Sequence, residues 1–444
     1  MPVRRVLSAL VAGAALLAGA ALAGPAAASD AVTVSLFTQR TGPLAEAGTP
    51  IANGFSDYVT MLNQRDGGVG GARIAVEECE TGGEVRRALD CYEAARSRGA
   101  VVVNPWQADA ALALLPRTGA DRIPMVTSGY GVALAARGGV FPWAFAPPAT
   151  VWDGLAVAIA HLTAREESPD GLRGKTIAYI HHDSEAGRDP IPMLADLAEG
   201  AGFTLRAYPL REGPDDPWRS AKAASPDYVL LDGTAGMTGA PVEAAAAAGL
   251  PLERVVAVGW PGDDELRRAG KAAQGFREVA WHAPGDSFPA FDQIDLLVID
   301  AGLSRTVKSD ATGVLYNRGV YNAVIVTEGI RAAQRLAGRP AIDGEAMRRG
   351  LEAVRIDAVR WKELGLTGFA GPLKLDCADH SGHLAAFVQE WTGTRWVTIS
   401  DRIAPMRDHL RPLLDAAVGA YQERVTAETG APWPERRETC EPVR

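Results

Sequence analysis

Residues 32–55 read Val-Thr-Val-Ser-Leu-Phe-Thr-Gln-Arg-Thr-Gly-Pro-Leu-Ala-Glu-Ala-Gly-Thr-Pro-Ile-Ala-Asn-Gly-Phe. An apolar, β-branched run passes through Thr41-Gly42-Pro43 directly into a helical pattern, Pro50–Gln64. This strand–loop–helix order puts small residues and a helix N-terminus at the carboxyl end of a strand, where open parallel sheets bind ligands.

Upstream of this stretch, Arg4 and Arg5 precede an apolar run from about Val6 to Leu22, and Ala26-Ala27-Ala28 follows as a small-residue cleavage site. Residues 1–28 therefore read as an export signal, leaving a mature chain of about 416 residues. Gly13, Gly19 and Gly24 within or beside the apolar run weigh against a retained membrane anchor. The first cysteine is Cys79, so no cysteine at the cleavage site could carry a lipid. A periplasmic location is expected.

With 47% hydrophobic and 22% charged residues, the chain can bury large cores, which excludes a disordered protein and calls for two or three domains. A net charge of −9 without a dense Lys/Arg cluster argues against nucleic acid as a partner. Four cysteines in an exported chain suggest two disulfides with three possible connectivities. Cys79 ends an apolar strand and Cys91 lies on the next helix, so a bridge across that turn is geometrically easy. Cys377 would then pair with Cys440 and pin the tail. The alternatives are buried free thiols or, less well supported without a Cys-x-x-Cys pair, a metal site.

Strand signals at Val32–Phe37, Arg73–Val76, Val101–Val103, Ile123–Thr127, Thr176–Ile180, Tyr228–Leu231 and Val255–Val258 alternate with helical patterns. The latter are Pro50–Gln64, Val85–Arg98, Ala108–Thr118, Val151–Ala164, Asp189–Ala201 and Pro241–Ala248. Alternation of this kind predicts an α/β fold with parallel, doubly wound sheets, in two groups of about four strands. The first group ends at Phe141-Pro-Trp-Ala-Phe-Ala-Pro-Pro, a stretch its prolines keep extended. Gly371–Leu375 and Ala385–Trp391 read as later strands.

From Val32 to about Ile403 the chain resembles the type I periplasmic solute-binding proteins of ABC importers, especially the branched-chain amino-acid (Leu/Ile/Val) binding group. The matching pieces are Thr41-Gly-Pro-Leu-Ala-Glu-Ala-Gly, Ile123-Pro-Met-Val-Thr-Ser-Gly-Tyr-Gly and Thr176-Ile-Ala-Tyr-Ile-His-His-Asp, then Pro226-Asp-Tyr-Val-Leu-Leu, Gly319-Val-Tyr-Asn-Ala and Gly371-Pro-Leu-Lys-Leu-Asp. The resemblance implies two Rossmann-like lobes joined by three crossover strands, near Phe145–Thr150, Ala280–Gly285 and Gly368–Leu373. The lobes would comprise 29–148 with 283–368, and 149–282 with 369–405. Residues 406–444 would form a helical tail packed on one lobe.

It also implies capture of a small molecule in the cleft by a monomer that passes it to ABC permease subunits, with no catalytic residue, cofactor or metal. A sensor feeding a signalling partner is the alternative role, and an enzyme on the same scaffold the third. The strand-end loops supply the candidate ligand contacts. In the first lobe these are Thr41, Trp106, Gln107, Ser128, Gly129 and Tyr130. In the second they are Asp183, Glu185, Asp232, Thr234 and Trp260, with Tyr316 near the return crossing. Ala108 and Gly131 stand where the branched-chain group places hydroxyls, the acidic residue is displaced around Trp260-Pro261, and Ala186 replaces an aromatic clamp. These departures favour a larger or flatter ligand, such as an aromatic acid, an alcohol-derived metabolite or a cofactor-like compound.

Three further motifs read as structural. His181-His182-Asp183 with Glu185 is a polar strand-end loop that contacts ligand or stabilises structure. His380-x-x-His383 with Asp376 and Asp379 reads as a solvated turn, and Gly67–Arg73 links a helix to a strand, the reverse of a phosphate loop.

Overall fold

The computed structural model describes residues 31–440 except 128–131, 167, 169, 211–216, 233–240, 260–261, 383–384, 435, 437 and 439. The export signal expected over residues 1–28 lies outside them. Strands β1 (Val32–Thr38), β2 (Ile74–Glu80), β3 (Val102–Asn104), β4 (Met125–Val126) and β5 (Ala144–Phe145) form an all-parallel sheet in the order β2-β1-β3-β4-β5. Strands β6 (Thr176–His182), β7 (Thr204–Leu210), β8 (Tyr228–Asp232), β9 (Val255–Ala257) and β10 (Arg277–Ala280) build the parallel part of a second sheet. A short antiparallel ribbon, β11 (Arg355–Ile356) with β12 (Leu373–Lys374), stands apart. Strands β13 (Phe387–Trp391) and β14 (Trp396–Thr398) then add antiparallel to β10, giving β14-β13-β10-β9-β8-β6-β7.

Two α/β lobes result, as the alternating pattern predicts, but each sheet is larger than four strands. The strands missing from the sequence reading explain themselves. β7 is a partly exposed edge strand that carries Pro209, tolerated only where an N–H is dispensable. β10 buries Arg277 and Glu278, so its polar letters hide a core strand.

The chain passes between the lobes in neighbouring segments. After β5, the Thr150–Asp153 capping box starts helix Val151–Arg165 on the second sheet. After β10, His282 forms an antiparallel bridge with Ala370, and the Ala283 N–H donates to Phe369 O at 2.7 Å. The Ala146 N–H donates to His380 O at 3.0 Å.

His380 is fully buried and stacks on Phe145 at 3.9 Å, where the sequence suggested a solvated turn. Asp376 and Asp379 accept backbone N–H groups of their own turn, while His383 lies outside the described residues.

Helices Ala45–Asp66 and Val314–Ala337 cross at glycines. A Cβ on Gly54 would sit 2.1 Å from Tyr316 O, and one on Gly319 would sit 2.0 Å from Ile51 O. Both disulfides join the expected partners, Cys79 with Cys91 and Cys377 with Cys440, at Cα separations of 5.7 and 5.4 Å. The tail departs from the single-lobe packing expected of it: helix Arg407–Thr429 contacts both lobes.

Candidate functional site

Both parallel sheets repeat one strand order, β2-β1-β3-β4-β5 and β7-β6-β8-β9-β10. In each, the winding direction reverses beside the first strand, between β1 and β3 and between β6 and β8. A crevice opens at the carboxyl ends of strands flanking such a switch point. The residues there are Gln39–Thr41 and Pro105–Gln107 in the first lobe, and His182–Asp183 and Asp232 in the second.

These two ends meet. Asp109, in the first turn of helix Ala108–Asp121, accepts the Ala186 N–H of the second lobe at 3.2 Å. Beside the crevice, Arg268 bridges Glu46 of the first lobe at 2.8 Å and Glu243 of the second at 3.2 Å. Ala47, Ile51 and Trp106 join Leu266, Trp391 and Trp396 in one contiguous apolar cluster that also takes in Val314 and Leu315. The lobes are shut on one another.

Polar groups at the strand ends divide into those with partners and those without. The Glu80 carboxylate gathers the Thr38 and Thr41 hydroxyls and the Arg40, Thr41 and Gly82 N–H groups, at 2.8–3.2 Å. The first loop's donors are thus consumed by the chain's own carboxylate. Gln39 is only 2% exposed, and its Oε1 has no hydrogen-bond partner. Gln107 donates its Nε2–H to Gly83 O at 2.7 Å, yet its buried Oε1 has none either.

Across the crevice, the Tyr179 hydroxyl donates to Asp232 at 2.8 Å and Trp152 Nε1–H donates to Asp189 at 2.7 Å. Burial, reinforced by the neighbouring acidic groups, pushes the Asp232 carboxyl up to about 7 and Asp189 to about 6. His181 stacks on Tyr179 at 5.0 Å, and burial lowers both His181 and His182, favouring their neutral forms. His182 Nδ1 is buried without a partner. Two acceptor oxygens and an imidazole nitrogen find no donor or acceptor among the described residues.

The periplasmic binding protein family matches residues 31–395, most of the sequence. The chain belongs to that family. This periplasmic binding protein is 33% identical to a structure from the Pseudomonas fluorescens group described as an ABC transporter permease, at a TM-score of 0.81, covering 93% of this chain and all of that one. A branched-chain amino-acid ABC transporter protein of Thermus thermophilus, with bound valine, is 22% identical with a TM-score of 0.71, covering 86% of this chain and 99% of the other. An R. palustris ABC transporter solute-binding protein in complex with benzoate is 20% identical with a TM-score of 0.63, covering 85% and 98%. No curated protein sequence matches.

Of the ligand contacts expected in this binding protein, Ser128, Gly129, Tyr130, Thr234 and Trp260 lie outside the described residues. Trp106 and Gln107 stand at the crevice, as does Asp232 opposite. Thr41 is occupied by Glu80. Asp183 pairs with Arg188 at 2.7 Å, and the exposed Glu185 pairs with Arg424 of the tail at 2.7 Å. Tyr316 is wholly buried between first-lobe helices, its hydroxyl donated to Asp57 at 2.9 Å.

Gln39, Asp109 and Asp189 were missed. A glutamine directly ending an apolar strand was the available signal for the first. Asp109 and Asp189 gave none, since the first depends on how the lobes meet and the second on Trp152 arriving from a distant helix. Among the described residues, no group of three or more His, Cys, Asp or Glu is placed to hold a metal ion, and no helix is long and apolar enough to cross a membrane.

Proposed function

We propose that this periplasmic binding protein captures one small organic solute between its lobes and delivers it to the permease of an ABC importer. The observation that carries this reading is the pair of facing switch points with buried, unsatisfied acceptors, Gln39 Oε1 and Gln107 Oε1, beside Trp106. Such oxygens cost free energy until a donor reaches them, so the solute supplies at least one N–H or O–H group and an apolar body for Trp106. The valine bound by one relative meets both requirements with its ammonium and apolar side chain, whereas the benzoate bound by another offers the apolar body alone.

Closure follows from the same physics: a ligand touching both lobes favours the shut arrangement by its differential affinity. We take the lobes as 29–148 with 283–368, and 149–282 with 369–405. Residues 1–28 direct the protein, as a monomer, to the periplasm, which fractionation of cells and gel filtration will check.

The decisive experiment is a thermal-shift screen followed by calorimetry over branched-chain and aromatic amino acids, aromatic acids, short alcohols and redox cofactors. One class should raise the melting temperature and bind unchanged, and Trp106→Ala should weaken it about tenfold or more, equivalent to roughly 1.4 kcal/mol. Chemical turnover of the bound compound, or unchanged affinity in Trp106→Ala, would overturn the proposal.

A further inference from the structure

Helix Arg407–Thr429 makes two unlike sets of contacts. Toward the first lobe the C-terminal half of the helix is apolar and buried, with one ion pair, Arg137–Asp415 at 2.8 Å. Val418 and Tyr421 are buried within the first-lobe cluster. Phe141, Tyr421 and Trp433 form an aromatic triangle with centroids 5.1–5.6 Å apart. Beyond the helix, Arg436 pairs with the buried Glu352 at 2.8 Å, and Cys440 is bonded to Cys377, a residue of the 369–405 segment whose turn is hydrogen-bonded to Ala136 and Gly138 of the first lobe. Toward the second lobe the C-terminal half of the helix makes a surface ion pair, Arg424–Glu185 at 2.7 Å, while its N-terminal end adds His409–Asp196 at 2.6 Å and buries Leu410 in the cluster that holds Trp152 and Met193. Arg407, between the two, bridges Asp153 and Asp379 beside the crossing segments.

We propose that the C-terminal helix is a latch carried by the first lobe, which holds the closed arrangement by gripping the second lobe through Arg424 and Glu185. The inference rests on the hinged two-lobe reading above. Glu185 directly precedes Ala186, whose N–H reaches Asp109 across the cleft. Opening the cleft parts these two residues and simultaneously carries Arg424, fixed on the first lobe, away from Glu185. The Arg424 guanidinium lies over the Tyr421 ring at 5.3 Å, so the anchoring residue also orients the gripping one. Buried apolar contacts and a disulfide survive a hinge motion, while exposed ion pairs break and re-form at little cost. In the C-terminal half of the helix, this division of contacts assigns the anchor to the first lobe and the release to the second.

The test uses the full-length chain with probes introduced as unnatural amino acids at Leu303 of the first lobe and Glu199 of the second, and reads the separation distribution without any solute. Arg424→Glu should lower the closed-to-open ratio about two- to fivefold at low salt, as expected for losing one exposed pair. Arg424→Gln should move it less, half-molar salt should shrink both effects, and Arg424→Glu with Glu185→Arg should restore the original ratio. Circular dichroism of each variant establishes that it is folded. Two populations whose ratio ignores Arg424→Glu, or a swap that fails to restore it, would overturn the latch alone. A single separation in every variant would overturn both the latch and the hinged reading.

Discussion

Asp232 shows how one residue's meaning changes with its surroundings. In sequence it is an acidic letter ending an apolar run, and its place at a strand end was readable. Its protonation was not, because that depends on Tyr179, Asp189 and Asp109 arriving from other segments. A carboxyl whose folded pKa stands near 7 against an unfolded value of 3.8 contributes stability below the unfolded value, and that contribution is lost as pH rises toward 7. Melting temperature of the wild type should therefore fall between pH 4 and 7 relative to Asp232→Asn, which keeps an acceptor for Tyr179 without the charge. Calorimetry across that range will decide, and parallel curves would contradict the buried, uncompensated carboxyl. Glu352 is the opposite case: Arg348, Arg436 and His380 hold it down to about 2, so its contribution is lost only as pH falls from 4.5 toward 2.

Secondary elements were legible where their letters obeyed the period. The helices Val85–Ser97, Ala108–Asp121 and Val151–Arg165 lie within a few residues of the patterns that predicted them. The polar strand β10 and the edge strand β7 escaped, because burial of a charged residue and tolerance of proline are consequences of neighbours. Gly54 and Gly319 likewise look like helix-weakening residues in sequence, but the crossing of helices Ala45–Asp66 and Val314–Ala337 needs them. Gly319→Ala forces a methyl against Ile51 O and should destabilise the first lobe by about 1–3 kcal/mol in urea unfolding, despite alanine's better helix propensity. The Cys79–Cys91 bridge, spanning 12 residues, joins a strand to its following helix, and replacing both cysteines by serine should cost roughly 3 kcal/mol in the same measurement.

At the scale of the whole molecule, the 63-residue span closed by Cys377–Cys440 returns the tail to the body, and its removal should cost roughly 4 kcal/mol by loop entropy. If the tail is a latch, Cys440→Ser should also widen the separation distribution described above, whereas Cys79→Ser with Cys91→Ser should leave it unchanged. The order of apolar runs, loop residues and cysteines determined by itself the α/β class and the doubling into two lobes, favoured the cysteine pairing that forms, and pointed to strand-end loops as candidate ligand contacts. These follow from local periodicity and chain connectivity, which a linear string carries. Only the tertiary structure decided that Glu80 occupies the donors of the first loop, that Gln39 and Gln107 keep unsatisfied oxygens, and that the tail grips both lobes. Each of those depends on which distant groups meet in a water-poor space, and there a hydrogen bond made or missed outweighs any local preference.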